Sequence, residues 1–207
     1  MNDKSSYPVM LRLENVNCLL VGGGKVAQRK LEKLLETGAR VTIVSPEITE
    51  TVRGIVSGGK AKWIADTYKS CYLAEAGLVV CATNDTLVNE KVFSDAAERK
   101  LFVNVVDDPQ HCTFLIPAVL NKGNIQVAVC SGGAAPVVSV NVRNKIDNMI
   151  TDELVQAVDI LKQNRNRIKK LPSDKKKLFW EKVEACLDKD HDYLISINQL
   201  FSTFLDI

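Results

Sequence analysis

The sequence predicts an α/β fold: a parallel-sheet domain, then a short hairpin segment, then a helical C-terminal domain. Three observations carry this. Short apolar runs alternate with helically spaced segments from Val16 to Val106. The first run ends in Gly22-Gly23-Gly24 at the mouth of a helical segment. From Ala135 onward the apolar spacing is almost wholly helical. Alternation of the first kind implies a parallel sheet covered on both faces.

Taken in order, Val16–Val21 (VNCLLV) reads as a buried strand. Lys25–Thr37 carries Val26, Ala27, Leu31, Leu34 and Leu35 at helical spacing, with Gly38 where a C-cap glycine belongs. Val41–Val44 is the second strand, halted by Ser45-Pro46. Thr49–Ser57 reads as a helix, Lys62–Ile64 as a short strand and Leu78–Ala82 as another buried one. A helix from Asp85 to Arg99 and a fifth strand, Phe102–Val106, follow. Thr113–Leu120 and Ile125–Cys130 read as a hairpin with the four-residue loop Asn121–Asn124. Helices are predicted over Val137–Met149, Asp152–Asn166, Ser173–Leu187 and Ile195–Phe204, with Pro172-Ser173 supplying a break and an N-cap. The boundaries fall near residues 113 and 147, giving segments 1–113, 114–147 and 148–207.

Composition excludes several classes. With 46% apolar and 25% charged residues, the 207-residue chain is globular in character, and no apolar run approaches the roughly 20 residues of a membrane span. The polar start, Met1 to Ser6, lacks the apolar stretch of a signal peptide, so a cytoplasmic protein is expected. The cysteines at 18, 71, 81, 112, 130 and 186 include no CxxC pair and read as buried free thiols. Two histidines make a histidine-based metal site improbable, and no metal is expected. Net charge is +2, but nine Lys/Arg crowd Lys162–Lys182 against Asp174 and Glu181. That run reads equally as a polyanion surface or a solvated helix face. No nucleic-acid partner is expected.

Several motifs carry chemistry. Gly22-Gly23-Gly24-Lys25-Val26-Ala27 fits G-x-G-x-x-A between a strand and a helix, the Rossmann signature for a dinucleotide. In it Gly22 permits the turn, Gly24 lets the backbone approach a pyrophosphate and Ala27 lets the helix pack closely. Lys25 sits in the first helical turn, where a bound phosphate would offset its unfavourable position; a plain exposed lysine explains it as well. Ser45-Pro46-Glu47 stands where the second strand meets the adenosine ribose, with no arginine directly there for a 2′-phosphate, which favours NAD over NADP. Thr83-Asn84-Asp85 ends a buried strand at the ligand-binding edge, or simply caps the next helix. Asp107 and Asp108 close the fifth strand at that same edge, where a carboxylate serves as general base or as a turn acid before Pro109. Ser131-Gly132-Gly133 is a second glycine turn before a helix, an anion site or a connector.

Together these motifs resemble the dehydrogenase/ferrochelatase module of siroheme synthases, from about Tyr7 to Asp147. The resemblance rests on Cys18–Gly24, Val26–Lys30, Ala82–Asp85, Asn104–Asp107, Phe114–Ala118, and Ser131-Gly132-Gly133 with Pro136. It implies an NAD-binding domain, a dimerisation segment over 114–147 and a helical C-terminal domain in a homodimer. It implies NAD-dependent oxidation of precorrin-2 to sirohydrochlorin, with Asp107 as the essential aspartate and Gly22–Val26, Pro46-Glu47 and the Thr83 region around the cofactor. Ser131 would line the tetrapyrrole cleft, while Arg143 and the basic tail would pair with substrate carboxylates. Two departures stand out: Ala135 where many members carry serine, and a single arginine, Arg143, where many carry two. Ferrous-iron insertion into sirohydrochlorin and a non-catalytic NAD-sensing role are the alternatives.

Overall fold

The computed structural model describes residues 6–187 and 193–205. The polar start at Met1–Ser5 lies outside them. The chain forms two compact units, Met1–Ile116 and Pro117–Ile207.

In the first unit, five parallel strands form one sheet. They are β1 (Asn17–Val21), β2 (Arg40–Val44), β3 (Lys62–Ile64), β4 (Leu78–Cys81) and β5 (Phe102–Val105). Their order is β3-β2-β1-β4-β5, so the direction of winding reverses between β1 and β4. Such a reversal opens a crevice at the carboxyl ends of the strands, the usual ligand site of an open α/β sheet. This is a Rossmann-like architecture. The strands read as unbroken apolar runs because both faces are covered. On one face α1 (Lys25–Glu36) and α2 (Glu50–Ser57) bring Ala27, Leu31 and Val52 against Cys18, Leu20, Ile43 and Val80. On the other, α3 (Thr86–Glu98) brings Val92 and Ala96 against Leu19, Val79, Cys81 and Val103.

The second unit opens with the antiparallel hairpin β6 (Ala118–Lys122) and β7 (Ile125–Val129), on which α4 (Pro136–Met149) packs. Lys122 locks the end of that helix, its ammonium reaching the carbonyl oxygens of Asp147 and Ile150 at 2.9 and 2.8 Å and pairing with the Asp147 carboxylate. Helices α5 (Asp152–Gln163), α6 (Arg165–Lys169), α7 (Ser173–Leu187) and α8 (Tyr193–Leu205) enclose a separate core around Phe179, with Ala157, Ile168, Val183, Ile197 and Phe201.

Three local expectations are corrected. The sixth strand begins at Ala118 rather than Thr113, because Thr113 is bound to β5: its N–H donates to Val103 O at 2.8 Å and its hydroxyl accepts from Val103 N–H at 2.8 Å. The hairpin loop is the two residues Gly123-Asn124, since Lys122 already pairs with Ile125; Gly123 has φ +55°, which suits a tight hairpin turn. The helix expected over Asp152–Asn166 breaks at Asn164, whose side-chain amide and backbone N–H both donate to Ile160 O at 3.0 and 3.1 Å. That local bond competes with the helical ladder. A smaller shift falls at Pro172: its carbonyl accepts from Lys176 N–H, so Ser173 is the first helical residue rather than the cap. The six thiols are free, but only Cys18 and Cys81 are buried, and Cys71 and Cys130 are exposed.

Candidate functional site

The glycine turn is built into the crevice by contacts that leave no room for side chains at its first two positions. Gly22 has φ +117°, a conformation L side chains rarely adopt, and a Cβ there would lie 2.4 Å from Ala82 O on the neighbouring strand end. A Cβ on Gly23 would lie 1.9 Å from Glu47 O. Its carbonyl also accepts from Thr49 N–H at 3.0 Å, which ties the turn to the start of α2. Gly24 is different: a Cβ there would meet nothing within 4 Å. The tight turn expected at Gly22 and the open backbone expected at Gly24 are both present, and Gly23, whose packing the sequence did not announce, is the most tightly packed of the three.

Gly24 is also the N-cap of α1, with no side-chain cap and no acidic residue in the first turn. The first helical hydrogen bond runs from Gln28 N–H to Gly24 O. The N–H groups before it therefore stand outside the helical ladder and face outward at the positive end of the helix dipole. An open backbone, uncapped N–H groups and an absence of negative charge fit a dinucleotide pyrophosphate. Lys25 is exposed beside it.

Ser45, Pro46 and Glu47 flank the turn on the β2 side. Ser45 is held by Trp63, whose indole N–H donates to Ser45 O at 2.9 Å. Arg53 is engaged elsewhere, over the Trp63 ring at 5.3 Å and paired with Glu50. On the β4 side, Asp85 caps α3, accepting from Leu87 and Val88 N–H at 3.0 and 3.2 Å. Thr83 donates to Asn89 Oδ1 at 2.6 Å, and Asn84 is exposed. Asn89 was not foreseen; it ties the strand end to the helix by also donating to Thr83 O at 3.3 Å.

Asp107 lies two residues past the end of β5 and is exposed, with φ +61°. Aspartate tolerates this left-handed conformation better than most residues. Val106 N–H donates to Cys81 O at 2.9 Å, so the end of β5 is pinned beside the end of β4. The loop behind it is fastened by buried Asn104, which donates to Phe114 O at 3.0 Å and contacts Cys112 Sγ at 3.3 Å. Burial pushes the Cys112 thiol up, away from the reactive thiolate. Asp108 turns aside to His111, 2.6 Å away, whose ring donates to its carboxylate and holds it below the usual range.

A cleft of about 310 Å³ lies beside Asp107, lined by Val26, Arg29, Lys30 and Lys33 of α1 and by Val106 and Asp107. Val26 and Asp107 thus share one cavity, as their places in the motifs require. The three basic residues were not among the expected site residues. Their spacing with Val26 at intervals of three and four was the available signal, since those positions share a helix face.

The remaining expected residues lie in the second unit. Ser131 Oγ accepts from Ala135 N–H at 3.1 Å and from Ser139 Oγ at 3.0 Å, bracing the start of α4. Gly132 and Gly133 have φ of +64° and +83°. Arg143 donates to Val119 O at 3.3 Å, so it fastens α4 to the hairpin. Among the described residues no group of three or more His, Cys, Asp or Glu is placed to hold a metal ion, and no helix is long and apolar enough to cross a membrane.

A sheet reversal, an uncapped helix start and a side-chain-free turn define a dinucleotide-binding protein. The chain belongs to the family described as "Putative NAD(P)-binding", which it matches over residues 9–118. Among its relatives, the siroheme synthase of Actinobacillus pleuropneumoniae serotype 3 is 35% identical over 178 residues, 85% of this chain and 37% of that protein. Siroheme synthase 2 of Yersinia enterocolitica is 36% identical over 180 residues, 86% of this chain and 38% of that protein. The chain thus spans less than two fifths of the length of these relatives. It shares its fold with the solved structure of "SirC, precorrin-2 dehydrogenase", with a TM-score of 0.81 and 22% identity over 98% of this chain and 100% of that one.

Proposed function

We propose that this chain binds NAD at the Gly22–Val26 turn and oxidises precorrin-2 to sirohydrochlorin. The observation that carries the reading is Asp107: a carboxylate at the sheet's carboxyl edge, beside the end of β4, opening onto a basic cleft shared with the first turn of α1. The siroheme synthases to which the chain is similar support the substrate. The oxidation removes a hydride and a proton from the macrocycle; bound NAD supplies the hydride acceptor. Asp107 takes or directs the proton. Orientation of the reacting carbon supplies much of the remaining rate. Glu47, exposed at the end of β2 without a free arginine beside it, supports NAD over NADP. Thr83, Asn84 and Asp85 flank the cofactor while Asp85 also caps α3.

The three-part division into 1–113, 114–147 and 148–207 belongs to the same reading, with 114–147 as the dimerisation segment. In support, α4 exposes Val137, Val138, Val140, Val142 and Met149, and Val119 of β6 is also exposed. Exposed apolar side chains in this number and a two-stranded sheet favour a second copy as cover. Light scattering at micromolar concentration tests this; a monomeric mass removes it. The same reading counts Ser131, Gly132, Gly133 and Arg143 among the residues that contact the tetrapyrrole. The site of action is the cytoplasm.

The test of function is anaerobic NADH formation on mixing pure protein, precorrin-2 and NAD. Asp107→Asn keeps a residue that tolerates the left-handed backbone and removes the charge. It is expected to lower turnover about 10²–10⁴-fold with little change in NAD affinity, whereas Asp108→Asn stays largely active. An active Asp107→Asn enzyme, or equal damage at Asp108, overturns the assignment. NAD binding without NADH formation would favour a sensor, and ferrous iron added to the product measures chelation.

A further inference from the structure

The cleft beside Asp107 carries more positive charge than the oxidation chemistry uses. Three of its six lining residues are cations and one is an anion. Like charges at this helical spacing destabilise a helix on their own. Lys33 is matched by Glu36 at 2.9 Å. Arg29 and Lys30 have no carboxylate within ion-pair distance among the described residues. Lys30 is only partly exposed. Burial disfavours its charged form, with Asp107 opposing and Arg29 adding to the effect. The face is also rigid, because Ala27 and Leu31 on the reverse side of the helix are buried in the sheet core. Two unmatched cations on a fixed surface, Lys30 partly desolvated and Arg29 exposed, are arranged for an anion that arrives from outside.

We propose that the Arg29–Lys30–Lys33 face of α1 is the seat of the substrate's side-chain carboxylates, anchoring a polycarboxylate macrocycle with its reacting edge at Asp107. The identity of the macrocycle rests on the oxidation reading above; the anionic class rests on the cleft. Arg29 and Lys33 are four residues apart, about 6 Å along the helix axis, comparable with the reach between two carboxylate arms of one pyrrole ring. The assignment places the main substrate anchor in the nucleotide-binding unit, in contrast to the tail and Arg143. Arg143 gives one guanidinium N–H to Val119 O.

The test uses the full chain with Arg29→Gln, Lys30→Gln and the double change Arg29→Gln/Lys33→Gln. Lys60→Gln, exposed and remote from the cleft lining, is the control for loss of one positive charge. Binding is measured by fluorescence with uroporphyrin III, a stable octacarboxylate macrocycle. Turnover is measured with precorrin-2. Each lost cation is expected to raise the uroporphyrin Kd about tenfold, the size of one charge-assisted contact to a carboxylate. The KM for precorrin-2 should rise in step, with kcat within about threefold and NAD affinity unchanged. Wild-type affinity should fall with added salt more steeply than that of the variants. If Lys30→Gln disturbs the helix, the exposed pair Arg29 and Lys33 carries the result alone. Uroporphyrin binding that is absent, unchanged in the variants, or equally weakened by Lys60→Gln overturns the proposal. A chain that oxidises precorrin-2 with the same KM in every variant loses the anchor and keeps the reaction. A chain that binds uroporphyrin through these residues but forms no NADH keeps the anchor and loses the reaction.

Discussion

The two glycine turns look alike in sequence and are built on different physics. Each joins a strand to a helix, Gly22-Gly23-Gly24 before α1 and Gly132-Gly133 before α4. In the first, packing forbids a side chain: Cβ atoms on Gly22 and Gly23 would strike backbone oxygens at 2.4 and 1.9 Å. In the second, a Cβ on Gly132 would find open space, and only the positive φ favours glycine. The first turn is therefore a rigid seat held by three strand ends. The second is a local turn braced by Ser131 and Ser139, with space for a side chain at Gly132. The lesson is that a glycine signature marks where side chains are missing but not why.

The contrast is sharpest at Gly23. Gly23→Ala forces a methyl into the Glu47 carbonyl, and backbone on both sides must shift. A loss of about 3 kcal/mol or more is expected, read as a drop in Tm of the first unit by thermal or chemical denaturation. A variant as stable as the parent would show that the turn yields, and the distinction between the two turns would fail.

Gly24→Asp separates seat from scaffold. Aspartate is a better N-cap than glycine, so stability should hold or rise by a few tenths of a kcal/mol. The new charge stands where the proposed reading seats the pyrophosphate, so NAD affinity should fall at least about tenfold. Calorimetric titration beside a melting curve reads both. Intact NAD binding in the folded variant would remove the cofactor from this turn.

At the second turn the effects are smaller. Ser131→Ala deletes the acceptor for Ala135 N–H and should cost about 1 kcal/mol. Gly132→Ala should cost a similar amount, about 1 kcal/mol, through φ alone. A collapse as large as that of Gly23→Ala would mean that this turn, too, is a packed seat.

The smallest effect divides the neighbouring acids. Hydrogen bonding from His111 holds the Asp108 carboxyl below its usual range. Its stabilisation is therefore present above the ordinary carboxylate value of about 3.9, and is lost as pH falls through the lower folded value. The pair is partly exposed, so under about 1 kcal/mol is at stake. His111→Gln should lower Tm slightly at pH 5, and the difference from the parent should shrink and vanish as acid protonates the Asp108 carboxylate. A difference that persists in acid would assign His111 another task, such as its edge contact with Phe93.

The sequence alone determined the layered architecture and pointed to the sheet edge on which the candidate residues fall. Buried parallel strands must be apolar on both faces, so Val16–Val21 and Leu78–Ala82 announced themselves. The glycine turn marked the edge where strand ends and a helix start converge, and Asp107 fell on that edge by following an apolar strand. Tertiary structure decided what depends on partners distant in sequence. Thr113 belongs to β5 because Val103 offers it hydrogen bonds. Gly23 has no room for a side chain because the Glu47 carbonyl returns to within contact of it. Arg29, Lys30 and Lys33 join the site because Asp107, more than seventy positions later in the chain, closes the cleft against them. Periodicity reports which face of an element is covered; it carries no record of which other element comes to cover it.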